Sequence, residues 1–191
     1  IEVTGRPGSG SAPGEMVTLA SVRSDPLAAI MRRMNVVSSN FRAEVLGKLL
    51  GATRLGSPGT IAKGARVIEG FADARGVAVV AHDGSGLSYA NRVSAEGMVE
   101  MLRVAERAPW GETLRGTLPA GGEGTLEDRL ETVTVRAKTG TLIDVSAISG
   151  WVWLEREGAW AAFSILSSGM DATQAKSIEN KIVRVVAANA A

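Results

Sequence analysis

Stretches in which apolar residues recur every three or four positions alternate along this chain with short β-branched runs, and the two patterns lay out its elements. Ser24-Asp25-Pro26 opens a first helix with Pro26 at its first position, and Leu27, Ile30, Met31 and Met34 follow on one face. Ser38 or Ser39 caps a second, whose apolar face is Phe41, Val45, Leu46, Leu49 and Leu50 and which Gly51 stops. A third covers Thr60 to Ala74, with Ile61, Ala65, Ile68 and Phe71 together. Ser94 caps a fourth that runs to Arg107 and turns Met98, Met101 and Leu102 to the core. Asp171 caps the last, to about Ala188, with Ala175, Ile178, Ile182, Val185 and Val186 as its buried face.

The strand-like runs lie between these helices. Ile1 to Thr4 reads as a strand end, Met16 to Val22 as a short β-compatible stretch, and Gly76 to His82 as a buried or extended segment. Thr132 to Val135 leads into Lys138, and Ala147 to Arg156 pairs with Ala159 to Ser167 about the turn at Glu157-Gly158. Trp151, Trp153 and Trp160 on that hairpin read as cross-strand packing. The class this predicts is α/β of the α+β sandwich type: an antiparallel sheet with flanking helices, the last packed on it.

Composition narrows the possibilities. The 191 residues allow one ordinary domain, and 21 basic against 20 acidic residues point to neither nucleic acid nor an anionic membrane surface. There are no cysteines and one histidine, His82, so disulfides, thiolate metal sites and a Ser-His-Asp triad are excluded or cramped. No run approaches the roughly 18 to 20 apolar residues of a membrane span. The start at Ile1 reads as a processed, truncated or split chain. Arg6 to Gly14, rich in Gly, Ser and Pro, marks a seam between 1–15 and 16–191.

The reactive groups gather around Lys138-Thr139-Gly140. In a strand, Lys138 and Gly140 share one face and Thr139 takes the other, which suits an edge strand lining a cleft. There the ammonium would hold negative charge, the hydroxyl a carboxylate, and Gly140 would admit a peptide against the backbone. The same residues also suit an ordinary strand end with an exposed lysine. Ser38 and Asn40 would aim a hydroxyl and an amide into one cleft, although Ser and Asn are also the commonest helix caps. Asp83 to Ser88, D-G-S-G-L-S, is a turn in which Asp83 and Ser85 bond nearby backbone, and His82 reads as structural. Leu118 to Gly124 is glycine-rich but ends in no Gly-Lys-Ser/Thr, so it is no phosphate loop. Thr125 to Leu130 reads as one helical turn.

Taken in order, Ser38-Ser39-Asn40 with Ala43-Glu44, Asp83 to Ser88 with Asn91-Arg92-Val93-Ser94, Gly124-Thr125-Leu126, and Lys138 to Leu142 resemble the S13 peptidases. These are the D-alanyl-D-alanine carboxypeptidases and endopeptidases among the low-molecular-mass class C penicillin-binding proteins. The resemblance runs from about Leu19 to the C-terminus. It implies a penicillin-binding, serine β-lactamase-like transpeptidase fold, incomplete in this chain, with residues 1–15 as the tail of an inserted upstream domain and 16–191 as the C-terminal portion of the penicillin-binding domain.

The roles it implies are specific. Ser38 would join the proton relay, Asn40 would hold the substrate amide, Lys138 would lower the local potential, and Thr139 would take the terminal carboxylate. The N–H of Thr141, after Gly140, would form half of the oxyanion hole. No metal or cofactor is implied. The partners implied are peptidoglycan stem peptides ending in D-Ala-D-Ala and β-lactam antibiotics, met outside the cytoplasmic membrane by an exported protein.

Two departures stand out. Ser39 occupies a position where the family most often has Asp, and the chain has no Ser-x-x-Lys. Thr60-x-x-Lys63 and Thr173-x-x-Lys176 fall at helix surfaces. The catalytic serine would then lie on an upstream fragment of the same enzyme, and this chain alone would not acylate. Other functions compatible with these residues are a non-catalytic peptidoglycan- or partner-binding module, a serine β-lactamase or esterase, and a purely structural domain.

Overall fold

The computed structural model describes residues 4–6, 8–11 and 14–189, so the strand end expected at Ile1 to Thr4 falls almost wholly outside the described residues. From Met16 to Val22 there is no strand. Leu19 is 94% and Val22 96% exposed, because a strand needs a neighbour for its backbone N–H and C=O groups and none lies beside it among the described residues.

Helix α1 is Leu27–Val36, with Pro26 at the N-cap (φ −55°, ψ 147°), one position earlier than expected. Helix α2 is Asn40–Leu55, and Ser39 is its cap, accepting from the Arg42 N–H at 3.4 Å. Gly51 does not end it. The stop is Gly56 at φ 84°, and Gly51 instead lets α3, Ile61–Asp73, approach: a Cβ there would lie 2.7 Å from the Gly64 nitrogen. Thr60, expected as the first residue of α3, is its cap, and Lys63 bonds the carbonyls of Gly56 and Pro58, which removes that Thr-x-x-Lys pair as a nucleophile.

The expected strand at 76–82 shrinks to β1, Val79–Val80, paired antiparallel with β2, Arg92–Val93. Helix α4, Ala95–Arg107, is capped by Ser94, whose hydroxyl accepts from the Gly97 N–H at 2.9 Å. Helix α5, Gly111–Thr117, has no counterpart in the sequence pattern because it offers less than two turns of periodicity. The loop after it contains a 3-10 turn, Gly124–Leu126, in place of a longer helical turn.

Strands β3 (Val135–Leu142), β4 (Val145–Leu154) and β5 (Ala159–Ser168) form an antiparallel sheet in the order β3-β4-β5, so β3 is an edge. β3 begins at Val135, three residues later than the pattern suggested. Trp153 and Trp160 face each other in the register and meet edge to face at 5.6 Å. One face of the sheet carries Val135, Ala137, Ile148 and Val152, packed with Leu126, Leu130 and Val183. The other carries Trp151, fully buried against Ala105 of α4 and Leu118. Full burial of apolar side chains of this size stabilises by about 1.5–3 kcal/mol each.

Helix α6, Ala172–Asn189, closes the fold and starts at Asp171, whose carboxylate accepts from the N–H groups of Thr173 and Gln174. Its packed face corrects the expectation. Ala175, Glu179 and Val183 are buried, whereas Ile178, Ile182, Val185 and Val186 are 38–59% exposed. On α2, likewise, Phe41 is 79% and Leu49 59% exposed. Among the described residues no helix is long and apolar enough to cross a membrane.

Candidate active site

The end of α1 sets the first wall. Its C-cap is Val37, and Ser38 follows at φ 51°, a left-handed backbone that non-glycine residues rarely adopt. This turn sends the chain directly into α2 and leaves Ser38 half-buried while Asn40 is exposed at the helix start. The turn is anchored from below: the buried Asn35 donates to the Thr117 hydroxyl at 2.9 Å, and Arg32 reaches the carbonyls of Gly116 and Leu118 and pairs with Glu123.

The second wall is β3. Its register places Lys138 opposite Ser149 and Gly140 opposite Ala147, so both lie on one face and Thr139, opposite Ile148, on the other. From the edge, the Lys138 ammonium donates to the Ser38 hydroxyl at 2.8 Å and to its neighbour's carbonyl, Thr139 O, at 2.6 Å. Burial holds the Lys138 pKa below its ordinary value, so this amine gives up a proton more readily than a free lysine.

On the other face of the strand, the Thr139 hydroxyl meets that of Thr125 at 2.8 Å. Thr125 sits in the 3-10 turn, pressed against α1: Gly124 has φ 55°, and a Cβ on it would lie 2.3 Å from the Val36 carbonyl oxygen. The fold thus joins Lys138 to Ser38 on one face of β3 and Thr139 to Thr125 on the other. Gly140 and Thr141 are exposed farther along β3, and Asn40 and Thr141 make no side-chain hydrogen bond among the described residues.

A third segment supports the first two. Asp83 accepts from the N–H groups of Gly86 and Ser88 and from the Asn91 amide, while Glu44 of α2 accepts from the N–H groups of Gly84 and Ser85 at 3.1 and 3.0 Å. The Tyr89 hydroxyl then accepts from the Ile143 N–H at 3.0 Å and ties this loop to the β3–β4 turn. His82 is exposed, and its backbone N–H donates to Asn91. Sequence reasoning gave no site role to Thr125, Tyr89 or Glu44. Glu44 and Thr125 stand in segments that carry the family resemblance, but their roles are hidden because Glu44 and Tyr89 act across 40 or more residues and Thr125 acts from a turn with no periodicity.

An ammonium bonded to a hydroxyl can polarise a bound carbonyl and carry a proton, and a pair of hydroxyls on the other face of the strand can bind a carboxylate. Comparison with known proteins decides the lineage of this arrangement. Residues 1–189 match the D-Ala-D-Ala carboxypeptidase 3 (S13) family. The chain belongs to the S13 family. It is 37% identical over 185 residues to a D-alanyl-D-alanine carboxypeptidase of Actinomadura sp. (strain R39), covering 88% of this chain and 34% of that protein. It is 34% identical over 179 residues to the carboxypeptidase DacB of Mycolicibacterium smegmatis, covering 85% of this chain and 38% of that one. The S13 chain therefore spans little more than a third of the length of these relatives.

Solved structures agree in fold. Penicillin-binding protein 4 of Haemophilus influenzae, in complex with a β-lactam, superposes with a TM-score of 0.69 at 22% identity over 83% of this chain and 41% of that one. A class A β-lactamase from Bacteroides cellulosilyticus gives 0.60 at 19% identity over 85% and 64%. The S13 chain has the penicillin-binding and β-lactamase fold, as its motif order implied.

Proposed function

We propose that this chain supplies the S-x-N and K-T-G walls of a serine-type D-Ala-D-Ala carboxypeptidase or endopeptidase of peptidoglycan metabolism, and that the nucleophile comes from an upstream S-x-x-K segment of the same enzyme. The observation that carries this reading is the 2.8 Å bond from Lys138 to Ser38, which links the two walls.

The serine oxygen adds to the carbonyl of the penultimate D-Ala, and its proton passes through the relay containing Ser38 to the leaving nitrogen. The C–N bond breaks, D-Ala departs, and water releases the acyl-enzyme. Lys138 stabilises the charge that develops. Asn40 holds the substrate amide, Thr139 the terminal carboxylate, and the Thr141 N–H, after Gly140, half of the oxyanion hole. A β-lactam acylates the same serine. Residues 1–15 are the tail of an inserted domain and 16–191 the C-terminal portion of the penicillin-binding domain, which works outside the cytoplasmic membrane on stem peptides ending in D-Ala-D-Ala.

The uncovered apolar surfaces support an upstream partner. Phe41, Val45 and Leu49 on α2 are exposed, and an apolar cleft lined by Leu50, Ile68, Phe71, Met98, Met101 and Leu166 lies between the helices and the sheet. A segment of the same enzyme packed there would cover these apolar side chains.

The test is an intact-mass measurement with benzylpenicillin on this chain alone and on the enzyme that includes the upstream segment. The expected result is a long-lived adduct on the upstream part only in the second case. Lys138→Ala there should slow acylation by roughly 10²–10³-fold, the worth of one oxyanion-type donor. Unchanged acylation would remove the role of Lys138, and rapid turnover of the penicillin would make the protein a β-lactamase.

A further inference from the structure

Behind the sheet lies a second polar cluster that the proposed mechanism does not use. Glu179 of α6 is fully buried, yet its two oxygens are both occupied: Arg129 Nη2 donates at 2.6 Å and the Ser146 hydroxyl of β4 at 2.7 Å. Arg129 also donates from Nε to Asn180 Oδ1 at 2.9 Å, and only 11% of its side chain is exposed. A buried carboxylate is tolerable only when paired and hydrogen-bonded in this way.

Arg129 belongs to the same loop as Thr125. Between them Leu126 and Leu130 are sunk in the core, and the Gly122 N–H is shared by the carbonyls of Leu126 and Arg129. At the near end, Gly124 lies against Val36, so the loop is fixed at both sides. To β3 this turn presents the Thr125 hydroxyl, 2.8 Å from that of Thr139, while the Glu123 carboxylate at its start lies 3.8 Å from the Arg136 guanidinium.

We propose that Thr125 is a positioning residue for carboxylate recognition. Its hydroxyl fixes the rotamer of Thr139 and forms the second member of a two-hydroxyl chain, and the Arg129–Glu179 pair holds it at that distance. When Thr139 turns its proton to an incoming carboxylate, Thr125 donates into the oxygen so vacated. Either hydroxyl can be donor or acceptor, so the chain reverses without moving a heavy atom. The assignment rests on Thr139 being the carboxylate ligand of the proposed peptidase.

The experiment uses the enzyme with its upstream segment and compares acylation by benzylpenicillin with acylation by its methyl ester, which lacks the carboxylate. Thr125→Val should slow benzylpenicillin severalfold, up to about tenfold, the worth of a hydrogen bond between two uncharged hydroxyls, and leave the ester rate unchanged. Thr125→Ser should restore the benzylpenicillin rate, because it returns the hydroxyl. An unmutated enzyme that is not acylated would overturn the peptidase reading and this assignment with it. Normal acylation of the unmutated enzyme with no loss in Thr125→Val, or with equal loss on acid and ester, would overturn this assignment alone.

Discussion

The Lys138 ammonium and the Ser38 hydroxyl are 2.8 Å apart although 100 residues separate them in the chain, and Ser38 makes that bond from a backbone at φ 51°. The left-handed turn between α1 and α2 is therefore the point at which the helical part of the molecule reaches the edge of the sheet.

That backbone carries strain, and the strain predicts a divergence between stability and activity. Left-handed geometry costs a side-chain-bearing residue about 1–2 kcal/mol, so Ser38→Gly should be about 1 kcal/mol more stable than Ser38→Ala in urea denaturation. Neither variant restores the hydroxyl, and both should lose β-lactam acylation in the enzyme with its upstream segment. Equal stabilities would mean that the turn is not held in this conformation in solution.

The pair behind the sheet predicts a large loss for one substitution and a small one for another. Glu179→Ala leaves Arg129 buried without its carboxylate and should cost about 3–5 kcal/mol. Replacing both Glu179 and Arg129 with leucine removes the two charges together and should cost far less. Denaturant titration of the single and double variants reads this directly, and a double variant as unstable as the single would discard the pairing argument.

Asp83 predicts a pH dependence. Burial alone pushes its carboxyl up, but hydrogen bonds from the Asn91 side chain and from the backbone of Gly86, Ser88 and Leu87 outweigh it and hold the pKa below its ordinary value of 3.8. The unfolded chain then binds this proton more tightly than the folded one. The stability from Asp83 is complete above 3.8 and is lost as pH falls from there through the folded value. Unfolding free energies of the wild type and Asp83→Asn should differ at about pH 6, and the difference should shrink steadily as pH falls below 3.8. A difference that stays constant with pH would show that charge is not what Asp83 contributes.

The parts legible in the sequence are those decided within a few residues. Ser39, Ser94 and Asp171 cap helices because an N-cap needs only a side-chain oxygen three residues ahead of an N–H. Lys138 and Thr139 fall on opposite faces of β3 because a strand alternates, and the order of short motifs was enough to indicate the S13 family and its fold. Tertiary structure alone decided which groups meet. Gly51 reads as a helix stop until α3 is seen pressed against it, and the hydrophobic stripe of α6 misleads because Glu179 finds Arg129 and Ser146 on other elements. Periodicity records what a face prefers on average, whereas a buried charge or a backbone contact is settled by the particular partner that the fold brings to it.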